Sequence, residues 1–312
     1  MQNIRGQTIL VTGGAGFIGS HIVDALVENN EVRILDNLSS GVASRIPDSA
    51  TLFEGDIRDP EIVREATDGV NIIFHQAAVV SVSKSVEDPV MCHDVNSTAT
   101  LRLLESARRE NARVVLASSA AIYGHPNTVP ISEEEPASPT SPYGLQKHSL
   151  DRYAQLYNEL YGVDTVVLRY FNVYGPRQTK GDYSGVITVF LEQALAGDPI
   201  TVNGDGQQTR DFVFVDDVVQ ANLSAATTES VGEAYNIGTG NGITIGELAE
   251  TIRDVTSSGS PIVHIDPRPG DIRYSCADTS SAQSNLGYVP RVSLDEGLER
   301  LLTYERSTRT DT

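Results

Sequence analysis

The stretch Gly13-Gly14-Ala15-Gly16-Phe17-Ile18-Gly19 limits what this chain can fold into more than any other, because of what flanks it. Before it stands Thr8-Ile9-Leu10-Val11-Thr12, an apolar and β-branched run with the composition of a parallel strand buried on both faces. After it, residues 20–28 carry apolar side chains at helical spacing. A glycine-rich turn between a strand and a helix lets a pyrophosphate reach the backbone amides at the helix N-terminus, where the helix dipole favours negative charge. A glycine-rich loop alone is weak evidence; with strand and helix in place, Gly13, Gly16, Phe17, Ile18 and Gly19 become candidate dinucleotide ligands.

Downstream residues extend that reading. Glu31-Val32-Arg33-Ile34-Leu35-Asp36 is a second strand, and Asp36 follows Gly19 by 17 residues. An acid at about that distance accepts the adenosine ribose hydroxyls and repels a 2′-phosphate. Asn37, not Arg or Lys, comes next, so NAD is expected rather than NADP. Residues 52–59 read as a third strand entering a loop, with Asp56 and Ile57 beside the adenine. A helix at 60–67 and a strand at 71–75 follow, ending in Gln76 and the small pair Ala77 and Ala78, as a strand end close to a cofactor requires. His75 reads as a hydrogen-bonded core histidine. Residues 81–88 read as a polar loop before a helix through Asn96 and Leu104. Asn96 is either a plain buried amide or a residue that holds backbone or cofactor groups. The strand at 113–117 delivers Ser118 and Ser119, residues 127–142 read as a surface loop, and a helix from Tyr143 to Tyr161 leads to a strand at 164–169. Strands alternating with helices predict an α/β fold with a doubly wound parallel sheet.

Tyr143 and Lys147 lie four residues apart on one face of the predicted helix. A free phenol titrates near pH 10, roughly, and a nearby ammonium lowers that value. A phenol so tuned takes a proton from a sugar or alcohol hydroxyl while hydride leaves the same carbon. Ser119 would share the hydrogen bond to that oxygen.

Composition bounds the rest. The formal charge of −19 and only three lysines (Lys84, Lys147 and Lys180) against 42 acidic residues exclude nucleic acid and anionic membrane as expected partners. They also suit a high-salt cytoplasm, where screening removes much of the like-charge repulsion. No apolar run approaches the length of a membrane span, and no cleavable signal precedes the first strand, so a cytoplasmic location is expected. Cys92 and Cys276 are expected to be reduced. With six histidines in no ligand spacing, no metal site is expected.

From Asn172 onward the pattern turns irregular, with Gly175-Pro176, Gly181, Gly185 and Gly204-Asp205-Gly206 marking turns. A helix at 186–196 and short strands about Ile200 and Phe212 suggest a smaller unit, and a helix at 216–227 should pack back on the first. The expected division is 1–171 for the NAD-binding unit, with 213–238 returning to it, and 172–312 for an interleaved substrate-binding unit.

Nearly the whole chain resembles the extended short-chain dehydrogenase/reductase superfamily, in its nucleotide-sugar epimerase/dehydratase branch, and within that branch the UDP-glucose 4-epimerases. The resemblance is carried by Thr12 to Gly19, Asp36-Asn37-Leu38-Ser39-Ser40-Gly41, Gly55-Asp56-Ile57-Arg58-Asp59, Ser118-Ser119-Ala120, and Tyr143 with Lys147. It continues through Arg169-Tyr170-Phe171-Asn172-Val173-Tyr174-Gly175-Pro176, the segment from Gly204 to Arg210-Asp211-Phe212, and Arg268-Pro269-Gly270-Asp271. It implies a Rossmann sheet with a smaller C-terminal α+β substrate domain. Tyr143 is then the base, Lys147 its electrostatic partner and ribose ligand, and Ser119 the second hydroxyl on the substrate oxygen. Ser118 and Tyr170 join the cofactor set. Asn172, Arg210 and Arg268 match positions that hold the sugar diphosphate, and Asp271 one that holds the uridine ribose. Arginine's planar fork suits a diphosphate. In the 4,6-dehydratases acids follow the catalytic Ser/Thr, and the related decarboxylases use a nearby Glu; here Ala120 and Ala121 cannot move protons. The resemblance thus implies NAD-dependent 4-epimerisation of UDP-glucose and UDP-galactose through a transient 4-keto sugar. Ser275 matches a position whose small size would admit UDP-GlcNAc and UDP-GalNAc. Alternatives are an epimerase for uronates or dTDP-sugars, a 4,6-dehydratase, or an NAD-binding sensor. The helices at 94–110 and 145–160 would pair across a homodimer.

Overall fold

The computed structural model describes residues 4–178, 185–268 and 270–310. Lys180, Gly181 and Pro269 lie outside them. Strand β1 (Thr8–Thr12) turns into helix α1 (Phe17–Leu26), which begins three residues before its first strongly periodic position. Then come β2 (Glu31–Asp36), β3 (Thr51–Glu54), α2 (Pro60–Thr67) and β4 (Ile72–His75). Asp59 caps α2 by accepting from the Glu61 amide, with Pro60 at the first turn, which is why this helix starts where the sequence indicates.

The 81–88 segment, expected as a loop, is instead mostly helix: α3 (Val82–Glu87) is capped by Ser81, and α4 (Pro89–His93) by Asp88. Both caps are written in the sequence, Ser81 three residues before Lys84 and Asp88 directly before Pro89, but the polar composition hid them. A π-helical turn, Asp94–Thr98, joins α4 to α5 (Ala99–Glu110). Next are β5 (Arg113–Ser119) and the long helix α6 (Pro142–Tyr161), whose N-cap Ser141 accepts from the Gly144 amide. The intervening loop is not simply a surface loop. Ile131 is buried and bridges Ala277, and the Glu135 carboxylate is buried while it accepts from Asn127 and Thr128.

β6 (Thr165–Tyr170) is followed by β7 (Asn172–Tyr174), α7 (Val186–Ala196), β8 (Ile200–Asn203), β9 (Thr209–Phe214) and α8 (Val215–Ala225). The chain ends with β10 (Glu233–Ile237), β11 (Gly242–Thr244), α9 (Ile245–Thr256), β12 (Ile262–Ile265), α10 (Ser280–Leu286) and α11 (Leu294–Thr310).

Seven strands form one parallel sheet in the order β10-β6-β5-β4-β1-β2-β3. Side-chain alternation splits its strands between two cores. Ile9 and Val11 face a layer that includes α1 and α8, while Leu10 faces a layer of α2, α5 and α6. Each core excludes water from one face, so the strands read as nearly continuous apolar runs. β10 enters this sheet beside β6, and α8 packs in the α1 layer. A third core gathers α7, α9 and α11 around β8 and β9. The sheet β11-β9-β7 and the pair β12-β8 belong to this smaller C-terminal region. Among the described residues no helix is long and apolar enough to cross a membrane.

The order of strands reverses between β1 and β4. That switch point opens a crevice beyond the C-terminal strand ends, where ligands bind in open α/β sheets.

Candidate active site

The crevice is a cleft of 590 Å³ walled by the glycine-rich turn, the ends of β2, β4 and β5, and the start of α6. Gly13 takes a left-handed φ of 68°, and a Cβ there would lie 2.8 Å from the Ala77 amide nitrogen. A Cβ on Gly19 would lie 2.1 Å from the Gly13 carbonyl oxygen. The turn therefore seats backbone against backbone, which only glycine permits. Gly16, Phe17 and Ile18 line the cleft at the N-terminus of α1.

Asp36 ends β2 with its side chain buried on the cleft, held by the Ala15 amide at 3.0 Å and the Leu38 amide at 2.9 Å. Asn37 and Asp56 line the same wall and are joined at 3.3 Å. The Arg58 guanidinium, 2.7 Å from Asp56, holds that carboxyl down to about 2. Ile57, Ala77, Ala78, Ser118 and Tyr170 also line the cleft. Tyr170 is fixed from behind, accepting from the Asn222 amide at 2.8 Å. The donor set fits a dinucleotide: bare amides and a helix start for a pyrophosphate, and a fixed carboxylate for ribose hydroxyls.

Asn96 does not line the cleft. Its side chain accepts from the Val79 amide at 2.8 Å and donates to Val79 O at 3.0 Å and to Gln146 Oε1 at 2.9 Å. Of the two readings its position allowed, it is a buried amide holding backbone, and it shapes the cleft wall through Val79. Such π turns recur at functional sites. His75 is a core histidine, between Thr12 and Thr100 hydroxyls at 2.8 Å each, and burial pulls its pKa to about 3.

Ser119, Tyr143 and Lys147 all line the cleft, with the Ser119 hydroxyl bonded to the Tyr143 phenol. Pro142 starts α6, and the Tyr143 amide donates to Ser85 Oγ at 3.1 Å. Ser85, in the segment expected as a loop, thus anchors the reactive end of α6. Lys147 donates to Ala117 O at 2.6 Å and is nearly fully buried, and burial lowers its pKa to about 8. The expected lowering of the phenol is not produced by the polypeptide. Burial pushes Tyr143 above its usual value, and the hydroxyl of Ser119 only partly offsets it. An ion near a phenol lowers its pKa only if the gain exceeds the desolvation of the phenolate, and here burial dominates.

The residues matched to the sugar nucleotide lie outside the cleft lining. Asn172 is exposed at the start of β7, next to β9. Arg210 on β9 is ion-paired with Asp271 and donates to Thr209 O and Ile272 O at 2.7 Å each. Arg268 is exposed and Ser275 is buried. The structure thus joins Arg210 to Asp271, a pairing the motif spacing did not suggest. Sequence reasoning also missed Val79, Lys84, Met91, Val95 and Phe171, which line the cleft. Only the caps of α3 and α4 could have signalled the middle three.

The profile of a family described as "NAD dependent epimerase/dehydratase family" matches residues 9–238. A putative UDP-glucose 4-epimerase of Methanocaldococcus jannaschii is 42% identical over 303 residues, covering 96% of this chain and 98% of that one. Among solved structures, a UDP-glucose 4-epimerase of Thermotoga maritima with UDP-glucose superposes with a TM-score of 0.94 at 40% identity, over 97% of this chain and 99% of the other. A UDP-N-acetylglucosamine 4-epimerase of Methanobrevibacter ruminantium, in complex with UDP-N-acetylmuramic acid, gives 0.94 at 36% identity, over 98% of this chain and 100% of that one.

Proposed function

The chain belongs to the NAD dependent epimerase/dehydratase family, and on that premise we propose that it interconverts UDP-glucose and UDP-galactose by epimerisation at C4. NAD is its cofactor. The observation that carries the reading is the convergence of Ser119, Tyr143 and Lys147 on the cleft that also holds the glycine-rich turn and Asp36. Directly after Ser119, a 3₁₀ turn presents Ala120 and Ala121, where a dehydratase needs acids.

In this reading the amides at the start of α1 hold the pyrophosphate and Asp36 holds the adenosine ribose. Lys147 binds the nicotinamide ribose and holds positive charge beside Tyr143. Tyr143 takes the proton of the 4-hydroxyl and later returns it, with Ser119 fixing that oxygen. NAD, when bound, supplies a reversible hydride acceptor and, oxidised, the cationic ring that a buried phenol needs to ionise. Arg210, Arg268, Asn172 and Asp271 hold the nucleotide, so that the sugar alone is free to turn over between its faces. Arg210 would exchange part of its pairing with Asp271 for the diphosphate, a trade its planar fork allows. Residues 172–312, apart from 213–238, form the nucleotide-sugar unit in this proposal.

UDP-GlcNAc and UDP-GalNAc are a second substrate pair, favoured by the small side chain of Ser275 and by the likeness to a UDP-N-acetylglucosamine epimerase. A cytoplasmic homodimer is part of the same proposal. α6 exposes Leu145, Tyr153 and Leu160 on one stripe, with the half-buried Leu156 between them. α5 exposes mainly Arg102, Arg108 and Arg109, so α6 with α3 and α4 would carry the apolar part of that interface.

Incubating the purified protein with UDP-galactose, with and without added NAD, and following products by NMR tests the reading. UDP-glucose is the expected product. An NAD-bound protein that leaves UDP-galactose unchanged would make it a sensor, and turnover confined to UDP-uronates or dTDP-sugars would reassign the substrate. Refusal of the N-acetyl pair would remove the role given to Ser275.

A further inference from the structure

Lys147 carries its ammonium into the interior, and Ala117 O is an uncharged partner. A buried charge without a counter-ion is costly enough that the group usually gives up its proton instead. One turn further along α6, on the same buried face, stands Asp151, 1% exposed. Its Oδ2 accepts from Arg169 Nε on β6 at 2.8 Å. Arg169 is itself locked, donating to Tyr123 OH at 2.8 Å and to Glu133 O at 3.2 Å. Tyr123 in turn donates to Asn236 Oδ1 at 2.7 Å. The other carboxylate oxygen, Asp151 Oδ1, is buried and falls short of hydrogen-bond geometry, as does Ser118 Oγ on the facing strand.

We propose that Asp151, braced by Arg169, is the buried counter-ion that keeps Lys147 charged beside Tyr143, which makes it a positioning residue for the reaction. The inference rests on the roles given above to Tyr143 and Lys147. On α6, Asp151 is the acid one turn from Lys147, near enough for its charge to be felt but not in ion-pair contact with it, and Tyr143 is a neutral phenol pushed up by burial. From β4, His75 is neutral near pH 7. From β6, Arg169 opposes Lys147 but lies beyond Asp151. Around Asp151 itself stand Arg169, Ser118 and His148. Burial raises the Asp151 carboxyl and the Arg169 pairing opposes that rise. Burial lowers Lys147, and the charge of Asp151 is the influence that holds it up. The pair also pins α6 to β6, and that structural role predicts nothing about the charge of Lys147.

The chain has only three lysines, so their side-chain methylene signals can be followed by NMR in protein carrying 13C-labelled lysine. Lysine-to-arginine variants assign them. Lys147 is expected to titrate near 8 in the wild type. In Asp151→Asn its midpoint should fall by about 1–2 units, while Lys84 and Lys180 stay put. The ratio of variant to wild-type kcat should then rise as pH falls from 8 to about 5, where Lys147 is protonated in both, with KM little changed. Asp151→Glu should restore part of both readouts. If Asp151→Asn does not fold, the double variant Asp151→Leu, Arg169→Met removes the pair without stranding a charge, and a smaller lowering in the same direction is expected, because the opposing charge of Arg169 goes too. An unmoved Lys147 midpoint in whichever variant folds overturns the proposal. Full epimerase activity in Lys147→Met would instead overturn the function assigned to the cleft, whatever the titration shows.

Discussion

Replacing Gly13 by alanine isolates the physical basis of the nucleotide site. Two costs arise. The left-handed backbone at φ 68° penalises any Cβ by about 1–2 kcal/mol. The new methyl also lies 2.8 Å from Ala77 N, 2.9 Å from Ala77 Cα and 3.1 Å from Gln76 C. All three are backbone atoms at the end of a central strand and cannot rotate away, so overpacking adds about 1–3 kcal/mol. Gly6 supplies the control. Its φ is 65°, yet nothing lies within 4 Å of its Cβ position, so Gly6→Ala pays only the conformational cost. Urea unfolding should therefore find Gly13→Ala less stable than Gly6→Ala by about 1–3 kcal/mol. Relief of the clash must part the β1–α1 turn from the end of β4, two of the elements that wall the cleft. Isothermal titration should then show NAD binding weakened by at least about tenfold in Gly13→Ala, equivalent to about 1.4 kcal/mol, and unchanged in Gly6→Ala. Equal stability and equal NAD affinity in the two variants would refute the reasoning.

Three further outcomes follow from the same geometry. Tyr143→Phe keeps the ring and removes the proton carrier, so kcat should fall by about 10²–10⁴ while NAD affinity holds; a loss confined to KM contradicts the base assignment. Asp36→Ala removes the carboxylate held by the Ala15 and Leu38 amides, and should narrow the preference for NAD over NADP in binding assays; an unaltered ratio excludes Asp36 as the ribose acceptor. With a net charge of −19, thermal stability should rise with KCl toward molar concentrations; full stability in dilute buffer, with loss of structure at molar KCl, argues against a high-salt origin.

Local chemistry made much of this legible. Gly13 to Gly19 between an apolar strand and a helix can serve few purposes, and Asp59-Pro60 or Gly162 mark helix limits by capping rules alone. Segments 81–88 and 127–142 are harder to read: polar composition hides the short capped helix of the first, and the second is a loop pinned by a buried isoleucine whose partner, Ala277, is distant in the chain. Asn96 shows the same divide, since an asparagine on a helix carries no sign of which backbone it will hold.

Period, caps and glycine placement act over a few residues, and those distances are written in the chain. They determined the strand–turn–helix start, the alternation that makes a parallel sheet, and the facing of Tyr143 and Lys147. Burial is a property of the whole packed body. Only the tertiary structure decided that Tyr143 is pushed up and not down, that Arg210 meets Asp271, and that Arg169 stands behind Asp151. Each of these depends on desolvation or on a partner distant in the chain, and neither has a signature in linear spacing.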